Sequence, residues 1–435
     1  MAAQSQPGIA RLTIETYAVR VVTLGLMMVS AILQARLLGP EGKGLLAAAL
    51  SWSALIGGIA LIGADSAVAY FVARSARYTL WFMRSSLIYT LGFALIALAL
   101  IGWQVEMPVN RQLALSVVLL TPMAVSAALV NAICVGLNRI RLINVLNAAS
   151  ALCYVLSLLA LYVVNVDRFE LVVAAVLGVQ AATLIVFFTA ILRSADAGYA
   201  APDLSALTRY ALQSFRGNLA GLLFLRGSLV ILSSVSPAAQ AGIYSIAVVF
   251  ADVVLMLPNT LINILLPRLA GRDPEFVAAR VALIARYALA GALVLGLLTG
   301  IAAFVVVPIG FGGAFREAAI VAFVLCIGAA LSTPGAVVSL YFNALEQPGV
   351  PATAAWIGCG ALFAASLILA PFFGALGAAI AVVVARMTTV LVMTRRFYRA
   401  TRLNWRTLAF RAGDWVNGEQ RIASLYEQIV HTRRA

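Results

Sequence analysis

The sequence predicts an all-α, polytopic membrane protein with about twelve spanning helices arranged as two six-helix lobes. Three observations predict it. Apolar stretches of about 20 residues or more, the length needed to cross a bilayer, recur from one end of the chain to the other. Of the 435 residues, 63% are hydrophobic and only 11% are charged, more apolar surface than a soluble core can hide. The short alternating segments of a membrane barrel are not seen. Helices follow, because hydrocarbon offers backbone amides no partner.

In chain order the apolar runs place spans at 12–34, 45–72, 79–103, 112–136, 143–165 and 169–192. A second six follow at 210–235, 239–268, 279–308, 315–343, 351–372 and 375–397. The run 193–209, with Gly198, Pro202 and two aspartates, reads as a cytoplasmic linker between lobes 1–192 and 210–397. After Phe397 the chain turns polar, with Trp405, Leu408, Phe410, Trp415 and arginines mixed, so 398–435 reads as a basic interfacial tail on the anionic leaflet.

The formal net charge of +14 records topology rather than nucleic-acid binding, since no basic-aromatic stripe appears. With the N-terminus cytoplasmic, that side holds Arg11, Arg74, Arg77, Arg139, Arg141, Arg193, Arg209, Arg268, Arg272 and Arg280, plus the arginines from Arg395 to Arg434. The other side holds Arg36, Lys43, Arg111, Arg168 and Arg316, with Lys43 read as a loop residue. The bias predicts both termini inside. The run after Arg11 is too long for a signal peptide and reads as a retained first helix.

Cys134, Cys153, Cys326 and Cys359 lie in apolar runs without metal or redox spacing, and the one histidine is His431. Neither nucleophilic triads nor metal chemistry has residues to work with, and no cofactor is expected. Pro122, Pro258, Pro334-Gly335 and Gly57-Gly58 mark places where a helix can bend.

Gly39-Pro40-Glu41-Gly42-Lys43-Gly44 opens the second span after a short turn, and Ser236-Pro237-Ala238-Ala239-Gln240-Ala241-Gly242 opens the eighth likewise. Each is followed by about 30 apolar residues and an arginine, Arg74 or Arg268, a repeat of parallel halves. The first of these, extended as Ala35-Arg36-Leu37-Leu38-Gly39-Pro40-Glu41-Gly42-Lys43-Gly44, resembles the opening signature of the polysaccharide (Wzx-type) flippases of the multidrug/oligosaccharidyl-lipid/polysaccharide exporter superfamily. Gly217-Asn218-Leu219, Gly242-Ile243-Tyr244-Ser245, Leu266-Pro267-Arg268-Leu269 and Gly374-Ala375-Leu376-Gly377-Ala378-Ala379 resemble further family features in order. Where many relatives carry an Arg-Asp pair in helix seven, this chain reads Leu225-Arg226-Gly227-Ser228. The resemblance implies two lobes opening alternately to each face of the bacterial inner membrane. It implies an undecaprenyl-pyrophosphate-linked glycan as cargo, with membrane lipids and a polysaccharide polymerase and assembly machinery as partners.

Ionisable residues inside spans are costly and mark function. Here they are Arg20, Arg84, Arg216, Arg226, Arg286 and Arg386, against Asp65 and Asp252. Arg20, Arg84, Arg216 and Arg286 sit near enough to the cytoplasmic end to snorkel. Arg226 and Asp252 fall at the same depth, roughly 24 Å from that end at about 1.5 Å per residue, so a pair between them is expected. Arg20 and Asp65 match in the same way, roughly 10 to 12 Å deep. Arg386, roughly 16 Å deep, has no evident acid on its level. Arginine's planar fork suits a pyrophosphate. The candidate substrate contacts are therefore Arg20, Arg226, Arg386, Asn218, Asn259 and Asn263, with Asp65 and Asp252 as ion-pair or coupling residues. Asn131, Asn147, Gln180, Gln213, Tyr244 and Asn343 are further polar positions that more often join helices.

Two other readings compete. A cation-coupled exporter of small organic cations needs surplus acid in its spans, and these carry surplus arginine. An integral-membrane glycan enzyme needs catalytic carboxylates or a large outer loop, and the longest predicted outer loops are only about ten residues.

Overall fold

The computed structural model describes residues 9–102, 111–193 and 199–401. Eleven α-helices account for most of them: α1 Ile9–Leu61, α2 Ala64–Arg74, α3 Thr79–Gly102, α4 Arg111–Gly136, α5 Ile140–Val163, α6 Phe169–Leu192, α7 Leu204–Val235, α8 Ala238–Leu269, α9 Pro274–Val306, α10 Glu317–Ala344 and α11 Gly349–Thr401. No strand occurs among the described residues, and ten helical stretches are long and apolar enough to cross a membrane. The all-α polytopic membrane architecture is what the bilayer demands of such a sequence. Large apolar side chains face outward, among them Phe372 (81% exposed), Ile88 and Leu391, so lipid rather than water is their solvent.

Two of the stretches are double. α1 and α11 each run 53 residues, about 80 Å of helix and more than twice a bilayer core of about 30 Å. Each is interrupted at one glycine, Gly39 (φ 63°, ψ −174°) and Gly374 (φ 55°, ψ −130°), where the backbone leaves the helical region. Dividing both at those residues turns ten stretches into twelve segments. Three differences from expectation stand out. Gly39-Pro40 is a break inside one helical run, whereas Ser236-Pro237 is a gap between α7 and α8. Lys43, expected in an outer loop, lies in helix and is buried. The expected span 45–72 stops at Leu61 and resumes at Ala64, with Ile62 (φ 48°) and Gly63 (φ 77°) both left-handed.

Gly63 shows why the interruption needs its residue. A Cβ there would lie 2.2 Å from the Ala211 carbonyl oxygen of α7, so only glycine lets the two backbones meet. Polar side chains set other boundaries. Asp203 accepts the Ser205 amide at 2.9 Å at the head of α7. Asp273 accepts Glu275 N and Phe276 N, each at 3.1 Å, with Pro274 opening α9.

The chain divides into two compact units, up to Leu222 and from Leu223 onward, the division falling inside α7. In the first unit Val68, Val72, Phe82, Met83, Val125, Leu129, Ile133, Phe187 and Ile191 form a core joining α2, α3, α4 and α6. In the second, α9, α10 and α11 pack around Val277, Ala282, Val338, Tyr341 and Phe397. The basic tail lies outside the described residues beyond Thr401.

Candidate functional site

The second unit gathers the deep charges. Arg226 is on α7, Asp252 on α8 and Arg386 on α11, beyond its Gly374 break. The Asp252 carboxylate feels the fields of Arg386 and Arg226. Arg386 in turn faces Tyr244, Asp252 and Cys326. The acid that sequence reading could not find for Arg386 is therefore Asp252, which the same reading assigned to Arg226. Neither a contact ion pair nor a hydrogen bond joins Asp252 to either arginine among the described residues. Asp252 itself is exposed on α8, and Arg226 is half-buried.

Two guanidiniums thus share one carboxylate, leaving positive charge over. Its location is specific, because Nε and Nη1 of Arg386 are buried without a hydrogen-bond partner. Buried donors left unmade cost about 1 to 3 kcal/mol each, more when charged. Tyr244, 3% exposed, does not bond to them; its hydroxyl pairs with Ser228 Oγ at 2.8 Å. It joins α7 to α8 rather than lining an open surface. Chemically the cluster presents unfilled guanidinium donors, a kind of group that pairs well with anions.

The other predicted residues are scattered. Asn259 and Asn263 lie one turn apart on α8, both exposed on one face. Asn218 is exposed on α7, but its Nδ2 donates to Ser66 Oγ of α2 at 2.8 Å, within the first unit. Asp65 is half-buried in the first turn of α2, where a carboxylate complements the helix dipole. Arg20 lies on α1, and its side chain, hence the expected Arg20-Asp65 pair, falls outside the described residues. Asn131 Oδ1 and Gln180 Oε1 are buried acceptors without partners on α4 and α6.

The sequence misplaces one residue and leaves others unmarked. Arg286 does not snorkel: it is 3% exposed, inside the α9–α11 core and in the field of Tyr398. Its small, apolar neighbours in sequence, from Val281 to Ala288, were the available signal, since an interfacial face would carry more polar residues. Gln240 reads in the sequence as part of a turn, yet its Oε1 accepts Ala375 N at 2.8 Å next to the Gly374 break. Gln34 and Tyr154, neither singled out, enclose Lys43 through a chain of hydrogen bonds.

This architecture is shared with known transporters. No protein-family model and no curated protein sequence matches the chain. Among solved structures it is similar to the lipid II flippase MurJ in an inward closed conformation, with a TM-score of 0.67 and 14% identity over 96% of this chain and 98% of that one. It is similar to an inward-facing multidrug resistance MATE family transporter of the MOP superfamily, at TM-score 0.60 and 12% identity, covering 93% and 96%. A MOP superfamily transporter from Pyrococcus furiosus, whose binding pocket is described as of reverse polarity, gives TM-score 0.55 and 14% identity over 90% and 95%. At such identities the likeness is one of fold. The chain has the fold of MOP superfamily transporters over nearly its whole length.

Proposed function

We propose that the chain is a Wzx-type flippase, carrying a polyprenyl-pyrophosphate-linked oligosaccharide across the bacterial inner membrane for polysaccharide assembly by alternating access. The observation that carries this reading is Arg386, a guanidinium deep in a spanning segment with two buried donors unfilled and a single carboxylate shared with Arg226. A pyrophosphate supplies what is missing, a compact dianion with several acceptor oxygens. The fold shared with a lipid II flippase supports a lipid-linked cargo. The surplus of arginine over acid in the spans argues against an exporter of cations, and the reverse-polarity neighbour is a precedent for this fold with a differently charged pocket. Asn259 and Asn263, exposed on one face of α8, are proposed to meet the glycan. The basic bias supports cytoplasmic termini. The partners are membrane lipids and the polymerase that consumes the delivered repeat unit.

Deleting the gene tests the reading. Lipid-linked repeat units should still be made and should accumulate on the cytoplasmic leaflet, measured with radiolabelled sugar. Normal surface polymer in a deletion strain lacking any paralogue overturns it.

A further inference from the structure

The polar chain around Lys43 plays no part in that reading, and it lies in the first unit. Of the 30 Lys+Arg residues, Lys43 is the only lysine. It is also 7% exposed. The two facts belong together chemically. A guanidinium keeps its charge in any protein environment, whereas an amine can give up a proton and become neutral. Every other Lys/Arg position is arginine, and the one lysine is placed where charge is expensive.

The surroundings are neutral. Lys43 Nζ donates to Gln34 Oε1, and Gln34 Nε2 donates to the Tyr154 hydroxyl at 3.0 Å. An ammonium carries three donors, and one acceptor is supplied among the described residues. The helices packed against α1 are α4, α5 and α6. Their charged residues are Arg111 on α4, Arg141 on α5 and Glu170 on α6, and Glu170 accepts from Gln112 Nε2 at 3.0 Å. On α1 itself Arg36 and Glu41, on either side of the break, are both exposed. No carboxylate among the described residues acts on Lys43. A charged amine in that setting is costly, whereas a neutral amine keeps its bond to Gln34. Gln34 and Lys43 also lie on opposite sides of Gly39, so their bond spans the break and ties it to α5.

We propose that Lys43 is a proton-binding site of the first unit, and that loading it changes the geometry of the break at Gly39. Protonation adds one N–H and a full charge that this packing does not satisfy. It therefore favours an arrangement in which the two segments part and the amine reaches water or an anion. The site is independent of which substrate the protein carries.

Being the only lysine, Lys43 can be read directly. Protein labelled with [13Cε]lysine, in nanodiscs of phosphatidylethanolamine and phosphatidylglycerol without substrate, gives one side-chain resonance. Its shift should pass from charged to neutral within the pH range over which the protein stays folded. A resonance that stays charged to about pH 10, where an exposed lysine titrates, overturns the site, and so does one that stays neutral throughout. The coupling is read by spin labels at Val22 and Ile59, exposed on either side of the break, in protein with its four cysteines replaced by alanine. The distance between them should shift with pH, and Lys43→Arg and Lys43→Met should abolish the shift. A pH-dependent distance that survives either substitution overturns the coupling, as does a distance that never changes. If Lys43→Met does not fold, Lys43→Arg, which retains a donor toward Gln34, supplies the comparison.

Discussion

The two units each contain a helical run of 53 residues broken at a glycine, and the two breaks are fastened differently. At Gly374 the fastening reaches the backbone: Gln240 Oε1 accepts Ala375 N at 2.8 Å, and Gln240 Nε2 donates to Glu317 Oε2 at 3.4 Å. A Cβ on Gly374 would lie 2.3 Å from Gln240 Oε1. At Gly39 nothing lies within 4 Å of where a Cβ would be, and the fastening runs through the side chains of Lys43, Gln34 and Tyr154. Both corners use a backbone conformation close to glycine's own. One is closed by a neutral amide whose state does not change, and the other by a group that can gain or lose charge. The deep charge is divided in the opposite sense. The second unit holds permanent guanidiniums around Asp252, and the first holds the amine.

The largest expected effect tests the permanent charge. Arg386→Ala should lower export of labelled lipid-linked sugar by about 30-fold or more, the loss expected when a buried charge-assisted contact to a ligand is removed. Membrane abundance should fall no further than in Arg226→Ala, since Asp252 keeps one guanidinium in either variant. Arg386→Lys should recover little, because lysine lacks the planar fork. Wild-type export by Arg386→Ala removes the anion site from the second unit.

Arg226 sharpens the same point. If it only offsets Asp252, Arg226→Ala should reduce abundance, and Arg226→Ala with Asp252→Ala should restore both abundance and export. A double variant that is abundant but does not export assigns Arg226 to the substrate.

The corners themselves come next. Gly39→Ala should cost about 1 to 3 kcal/mol for the strained backbone alone. Gly374→Ala should cost about 1 kcal/mol more, because the displaced Gln240 surrenders its bond to Ala375 N. Melting temperatures in one detergent compare the two, and equal losses would show that Gln240 contributes nothing to the corner.

The smallest effect is at Asn218. Its bond to Ser66 is an ordinary interhelical contact, so Asn218→Ala should cost about 0.6 kcal/mol of stability. Export should remain close to wild type. A large loss of export at unchanged stability returns Asn218 to the substrate contacts.

Much of the fold was legible in the sequence because one force dominates it. A chain this apolar has lipid for solvent, and in lipid every spanning segment must satisfy its own amides, so run length alone locates the helices. The acidic caps at Asp203 and Asp273 are readable for a similar reason, since they act on amides two and three residues away. The Arg226-Asp252 neighbourhood was also within reach, because consecutive antiparallel helices make depth countable.

What only the tertiary structure decided depends on which way a residue faces and on partners far along the chain. A glycine-proline signature reads equally as a loop or as a break within a helix, and only packing against α5 shows Lys43 to be buried. Arg386 meets Asp252 because α8 and the segment beyond Gly374 lie in one unit, a juxtaposition with no sequence period. Arg286 lies close enough to an interface to snorkel by depth, but its side chain turns into the α9–α11 core. Hydropathy measures how apolar a segment is and is blind to rotation about the helix axis, and that rotation determines whether a charge meets lipid, protein or ligand.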